Sequence, residues 1–203
     1  MEKSMEIAGI IMASGFSSRM GEDKLLMEIG GVPIVQRVMF AALQSKLSKT
    51  VIVCRRHEVS KLAESIGIEA VRNESAHKGQ SESIRAGIRA LEEYKFDGHM
   101  FIQADMPFLK SGIIDMLVQK SIENPTSIIV PTYGGRRKSP VVFPKDLKEE
   151  LLNLQGDSGG RVVIKRHSER VVLLEVGCSL CGRDVDTMND YIELQRMEND
   201  INV

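Results

Sequence analysis

Ala13-Ser14-Gly15-Phe16-Ser17-Ser18-Arg19-Met20-Gly21-Glu22-Asp23-Lys24-Leu25 is the stretch whose reading decides the fold. It follows an apolar run, Ile7 to Met12, which reads as a buried strand. Gly15 and Gly21 permit a tight backbone path with exposed N–H groups, and Ser17 and Ser18 add hydroxyls. Arg19 and Lys24 add two cations that no apolar core requires. A Gly- and Ser-rich loop with an Arg and a Lys, leaving the end of a strand, suits a polyphosphate. The same residues could also form an ordinary basic loop between a strand and a helix. A Walker-type loop is excluded, because two acidic residues separate Gly21 from Lys24. A dinucleotide fingerprint is excluded too, because Phe16 and Ser17 follow Gly15 where G-x-G-x-x-G is needed.

The run G-x-S-x-R-M-G-x-x-K-L, from Gly15 to Leu25, resembles the signature of the molybdopterin nucleotidyltransferase-like enzymes, most closely the molybdenum cofactor cytidylyltransferases. That resemblance implies an α/β fold: one three-layer, Rossmann-like nucleotidyltransferase domain over residues 1–203, with a mixed, mostly parallel sheet. The 203 residues suit one such domain, and no linker, repeat or low-complexity tract divides them.

Bulk composition narrows the function. Charged residues make up 27% and the net charge is −1, so nothing draws the chain as a whole to nucleic acid or to an acidic membrane. Aromatics are 4% with no Trp, which argues against a base-stacking surface. No apolar run approaches the roughly 20 residues of a spanning helix. Met1 to Glu6 lack the apolar centre of a signal peptide, so a cytoplasmic location is expected. Three Cys, an odd and low number, favour free thiols over a disulfide framework, and the Cys178-x-x-Cys181 spacing reads as incidental.

Along the chain, Leu25 to Ile29 should extend briefly, and Pro33 should open a helix with Ile34, Val35, Val38, Met39, Ala42 and Leu43 on one face. Thr50–Cys54 and Ile68–Val71 read as strands, with a helix over Glu58–Ile66 between them. Asn73 to Ser83 is a polar loop before a helix buried through Ile84, Ile88 and Leu91, and Ser81 is a candidate cap. By resemblance, Gly79, Gln80, Ser81 and Ser83 help hold base and ribose, while Ala13, Ser14, Gly15 and Ser17 of the first loop belong to the nucleotide site, with backbone amides around Ser14 to Ser18 cradling the triphosphate.

His99–Gln103 is the next strand. Asp105 follows it where open α/β sheets bind ligands, and Pro107 holds Met106 extended. Asp105 reads as a turn residue or a metal ligand; the family's Asp-Met-Pro makes it a ligand to Mg²⁺. Ile113–Ser121 is a helix and Ser127–Pro131 a strand. Arg136, Arg137 and Lys138 then form a basic turn before Val141–Phe143. The resembled enzymes carry Gly-His-Pro where this chain has Lys138-Ser139-Pro140, which bears on the acceptor. A helix over Leu147–Leu154 leads to Gly156-Asp157-Ser158-Gly159-Gly160-Arg161, a helix start that resembles the family's acceptor-side element.

After a strand over Arg170–Val176, Asp184 and Asp186 flank Val185. In an extended segment both carboxylates point to one side. By resemblance Asp186 is the second metal contact, and a helix around Tyr191–Met197 ends the chain.

These residues fit positioning and charge neutralisation rather than covalent catalysis. In that reading Arg19 and Lys24 stabilise phosphate charge, Asp105 and Asp186 hold Mg²⁺, and Lys138, Ser139, Asp157 and Arg161 face the acceptor. By resemblance the substrates are CTP and molybdopterin-bound molybdenum, and a molybdoenzyme receives the product. Two rival readings remain: nucleotidyl transfer to a sugar or polyol phosphate, and a non-catalytic accessory protein that carries cofactor to a molybdoenzyme.

Overall fold

The structure, a computed structural model, describes residues 5–15 and 24–201. Strand β1 (Ile7–Ala13) is buried along its whole length, as the apolar run requires of a central strand covered on both faces. After a 3₁₀ turn at Lys24–Leu26 come the short strands β2 (Glu28–Ile29) and β3 (Val32–Pro33) and helix α1 (Ile34–Leu43). They are followed by β4 (Lys49–Cys54), α2 (His57–Ser65), β5 (Glu69–Arg72), α3 (Gln80–Ala90), β6 (Gly98–Gln103) and α4 (Ser111–Glu123). The second half holds β7 (Ile128–Tyr133), β8 (Arg136–Arg137), β9 (Val141–Pro144), α5 (Lys148–Leu152), α6 (Gly160–Arg166), β10 (Val171–Val176) and α7 (Met188–Ile201).

The main sheet runs β10-β7-β9-β6-β1-β4-β5, with β8 paired to β7. Strands β4, β5 and β6 join β1 in one parallel block, and β10 is parallel to β7. Only β9, which pairs antiparallel with β6 and β7, and the two-residue β8 break the pattern, so the sheet is mixed and mostly parallel as expected. Period-two alternation in β1 builds both layers. Ile7 and Ile11 face α1, α2 and α4, whereas Ala8, Ile10 and Met12 face α3, α5 and α6. Helix α7 lies outside these layers, and its Leu194 packs with Ile29, Ile34, Phe108 and Val185.

Several expectations shift. Of the apolar face proposed for α1, Leu43 is 44% exposed, because it lies three residues beyond Phe40 on the outward stripe of the helix rather than on the buried one. Strand β7 runs on through Thr132 and Tyr133, where β10 continues to pair with it. The helix expected over Leu147–Leu154 begins as a 3₁₀ turn at Lys145–Leu147 and closes at Leu152. Ser81 is no cap: α3 is capped by Gly79 without a side-chain bond, and Ser81 sits inside the first turn. The reading of the cysteines is corrected as well. Cys178 and Cys181 form a disulfide, brought together by the turn that starts the 3₁₀ segment Leu180–Gly182, and Cys54 is the free, buried thiol. Among the described residues, no helix is long and apolar enough to cross a membrane.

Candidate active site

The C-terminal ends of the parallel strands form one rim. Strand β6 delivers Asp105 there, two residues beyond its last paired position, and the segment after β10 comes back over the same rim. One main-chain bond registers the two, from Val185 N–H to the Asp105 carbonyl at 2.9 Å. Val185 is fully buried, which fixes the residues on either side of it. As the alternation predicted, Asp184 and Asp186 both line one cavity.

Lys24 reaches this rim from the 3₁₀ turn. Its ammonium donates to Asp105 Oδ2 at 2.7 Å, to the Val185 carbonyl at 2.6 Å and to Asp186 Oδ1 at 3.2 Å. Residues separated by 81 and 162 positions in the chain therefore share one ammonium. Burial works against the Lys24 charge, but the charges of Asp105 and Asp186 and the hydrogen bonds to them outweigh it, so its pKa is raised. Burial also raises the pKa of Asp105, opposed by Lys24 and reinforced by the neighbouring charges of Asp184 and Asp186. The other oxygen of Asp105, Oδ1, is buried without a partner among the described residues.

The cavity in front of these groups has a volume of about 1100 Å³. Its polar lining includes Gln80, Lys138, Asp157 and Arg161. Lys138 donates to Asp184 Oδ1 at 2.7 Å. Phe101, Val141 and Phe143 give it an apolar floor. Ser139 also borders it, but its hydroxyl is tied to β6: it accepts from Gln103 N–H at 3.0 Å and donates to the Phe101 carbonyl at 3.3 Å. The Ser139–Pro140 peptide is cis.

The predicted nucleotide residues divide. Gln80 lines the cavity, while Ser81 and Ser83 lie buried behind its wall. Ser83 accepts from Asn73 Nδ2 at 2.9 Å, and Ser81 N–H donates to the Gly156 carbonyl at 3.1 Å. The Ser81 hydroxyl has no partner among the described residues. Gly79, with φ 114°, lies so close to the second loop that a Cβ there would stand 2.2 Å from the Gly156 carbonyl carbon. The loops that carry Gln80 and Asp157 are thus in backbone contact. Ala13 and Ser14 end β1 on the same rim, with the Ser14 hydroxyl turned inward to the Val53 carbonyl at 3.1 Å; Gly15 follows, exposed. Ser17 and Arg19 lie outside the described residues.

Three features went unassigned in the sequence. Lys165 lines the cavity one turn beyond Arg161 on α6, a spacing that the helical period would have exposed. Asn73 is a buried brace whose carboxamide also accepts from Ser75 N–H at 3.1 Å. The Val185 carbonyl, a backbone group, carries no residue-type signal at all.

The donor set fits a hard divalent cation such as Mg²⁺. Among the described residues, no group of three or more His, Cys, Asp or Glu could form an all-protein cage. Mg²⁺ is commonly held by one or two carboxylates together with substrate phosphates and water. Asp105 and Asp186 supply that pair, and the unpartnered Asp105 oxygen is the atom a cation would satisfy.

Comparison with known proteins gives the family and the fold. Residues 9–171 match the MobA-like NTP transferase domain. The chain is 28% identical over 206 residues to the purine catabolism protein PucB of Bacillus subtilis, covering 96% of this chain and 98% of that one. It is 26% identical over 195 residues to a probable molybdenum cofactor guanylyltransferase of Natronomonas pharaonis, covering 91% and 95%. Its fold superposes on a nucleotidyl transferase from Methanothermobacter with a TM-score of 0.82, at 17% identity and over 97% and 99% of the two chains.

Proposed function

The chain belongs to the MobA-like NTP transferase domain family, and from that premise we propose that it transfers CMP from CTP to molybdopterin-bound molybdenum, with pyrophosphate leaving. The observation that carries this reading is the convergence of Lys24, Asp105 and Asp186 at the lip of one cavity. Nucleotidyl transfer needs an acceptor oxygen aligned with the α-phosphorus, and compensation for charge that builds on the leaving pyrophosphate. Lys24 supplies a mobile ammonium for that charge. Arg19, outside the described residues, is assigned the same task. Main-chain N–H groups around Ser14 to Ser18, of which residues 16–18 lie outside the described residues, cradle the triphosphate. Asp105 and Asp186 would hold Mg²⁺, which would supply positive charge to offset the repulsion among the phosphates. Gln80 contacts the nucleoside, and Ser81, Ser83 and Asn73 keep its loop in place.

The far side of the cavity suits the acceptor. Arg137, Lys138, Arg161 and Lys165 form a basic wall over the apolar floor of Phe101 and Phe143. A flat ring system bearing a terminal phosphate uses both; a small polyol phosphate uses only the wall. Ser139 is spent on holding β6, so Lys138 takes the part of contacting the acceptor. A molybdoenzyme would receive the product.

The base assignment rests on Ala13-Ser14-Gly15, where the guanylyl branch tends to carry Gly-Gly. The Natronomonas relative, named a probable guanylyltransferase, favours GTP instead. Incubation with molybdenum cofactor and CTP, GTP or ATP, with pyrophosphate release measured and the product weighed by mass spectrometry, decides between them. A clear preference for GTP refutes the cytidylyl reading. Turnover with a sugar phosphate but not with molybdenum cofactor refutes the acceptor, and nucleotide binding without pyrophosphate release refutes catalysis.

A further inference from the structure

We propose that Lys24 is a tethered cation that occupies the carboxylate pair until a nucleotide arrives, so that the divalent metal binds with the nucleotide and not before it. The proposal rests on the reading of Asp105 and Asp186 as metal ligands. An ammonium has three N–H donors and no acceptor. All three donors of Lys24 are matched, to two carboxylate oxygens and one carbonyl within 2.6 to 3.2 Å. Such an oxygen cluster is what a small hard cation also takes.

The cluster is built to persist when the ammonium leaves. Val185 is locked by its N–H to the Asp105 carbonyl and by the burial of its side chain. The next turn is tied down by Asp190, whose Oδ2 accepts from Asp186 N–H at 3.3 Å and Thr187 N–H at 2.8 Å. Lys24 is the mobile member, a flexible four-carbon stem whose neighbour Leu25 anchors the turn in the core. The ammonium also leaves the site incompletely satisfied. Asp105 Oδ1 stays buried and unpartnered beside it, and Lys24 has no donor left to give.

A triphosphate on the neighbouring loop offers Lys24 a stronger partner. As its ammonium moves to the phosphates, both carboxylates become free for the cation that arrives with them. Binding of nucleotide and of metal is then positively coupled, and the coupling acts in both directions. Without nucleotide, the pair carries a neutralising charge and competes poorly for free divalent ions.

The test is direct Mn²⁺ binding to the full chain, followed by electron paramagnetic resonance without nucleotide. Lys24→Met keeps the stem and removes the charge, and it should bind Mn²⁺ roughly tenfold more tightly than the native protein. Lys24→Arg keeps the charge and should stay as weak as native. Adding Asp186→Asn to Lys24→Met should abolish the gain. Equal or weaker binding by Lys24→Met overturns the proposal, as does a gain that survives Asp186→Asn. If Lys24→Met is poorly folded, its melting temperature should rise with Mn²⁺ while that of the native protein does not; no selective rise is equally fatal. None of these readouts depends on the base or the acceptor, so a GTP preference in the turnover assay would leave this result standing.

Discussion

Gly79→Ala and Gly156→Ala should differ sharply, although both residues have positive φ and they touch each other. At Gly79 the backbone is at φ 114° and ψ 176°, a region essentially reserved for glycine, and occupying it with alanine costs roughly 1–3 kcal/mol. Its Cβ would also lie 2.2, 2.3 and 2.6 Å from the Gly156 carbonyl carbon, the Gly156 oxygen and the Asp157 nitrogen. These are backbone atoms with no rotamer to yield, so overpacking adds about 1–3 kcal/mol. A stiffer unfolded chain returns about 0.4–1 kcal/mol. The expected net loss is about 1–6 kcal/mol, centred near 3. At Gly156, φ is 56° and a Cβ meets no heavy atom within 4 Å. Only the left-handed penalty of about 1–2 kcal/mol remains, less the same return, which leaves a loss of about 1 kcal/mol or less. Urea unfolding followed by far-UV circular dichroism measures both, since the chain has no Trp for fluorescence. Gly79→Ala should also lower nucleotide affinity, because it forces apart the loops that carry Gln80 and Asp157. If the two variants lie within experimental error of each other, the backbone contact between these loops is not what holds the site.

Lys24→Ala should lower turnover by about 10²–10³-fold with the far-UV spectrum preserved, as for loss of a group aimed at developing charge, and near-native turnover would remove its assignment. Lys138→Ala and Arg161→Ala should each raise the KM for the acceptor about tenfold and leave the KM for nucleotide unchanged, a split that steady-state kinetics with both substrates varied will reveal. Val185→Ala removes two buried methyl groups for about 2 kcal/mol, and because Val185 positions both Asp184 and Asp186 it should reduce kcat as well as stability; a variant that loses stability alone contradicts that role. His99 is 5% exposed, and burial, aided by Lys148, holds its pKa at about 4. The unfolded chain therefore binds the proton first, and stability should fall by up to about 3 kcal/mol as pH drops from about 6.5 towards 4, a slope that His99→Gln flattens.

The parts of this fold that could be read in the sequence are those with a local cause. Strand β1 is seven consecutive buried residues, the helix after Pro33 shows a 3.6-residue stripe, and Asp105 sits between a strand and a proline. What could not be read depends on distant partners. β7 runs on to Tyr133 because β10 pairs with it there, and the side chain of Thr132 meets Glu175 across that pair. Ser81 carries a good capping side chain, but Gly79 must take the cap position because the second loop presses on its backbone. Cys178 and Cys181 were set aside on number, while the turn between them supplies a Cα separation of 5.4 Å, suitable for a disulfide. In the site, residue types were legible and bonding partners were not: Ser14 reads as part of a phosphate loop and Ser139 as facing an acceptor, while both hydroxyls are spent inside the sheet.

Convergence of the site follows from topology more than from any single loop. Strands β1 and β6 are adjacent and parallel, so their C-terminal ends lie side by side, and Lys24 needs only the length of its own stem to reach Asp105. The antiparallel insertion of β9 between β6 and β7 turns the chain back at that rim and brings Lys138 to it. The return from β10 then crosses to β6, where one N–H bond at Val185 sets both flanking carboxylates at once, Asp186 toward Lys24 and Asp184 toward Lys138. Each of the two cations therefore rests on an acid from the same short segment. In the proposed reading, one serves the nucleotide side and the other the acceptor side. A shift of that segment by one residue would exchange the buried Val185 for an aspartate and withdraw both acids together, so the hydrophobic demand for Val185 in the core is also what keeps the two halves of the site in register.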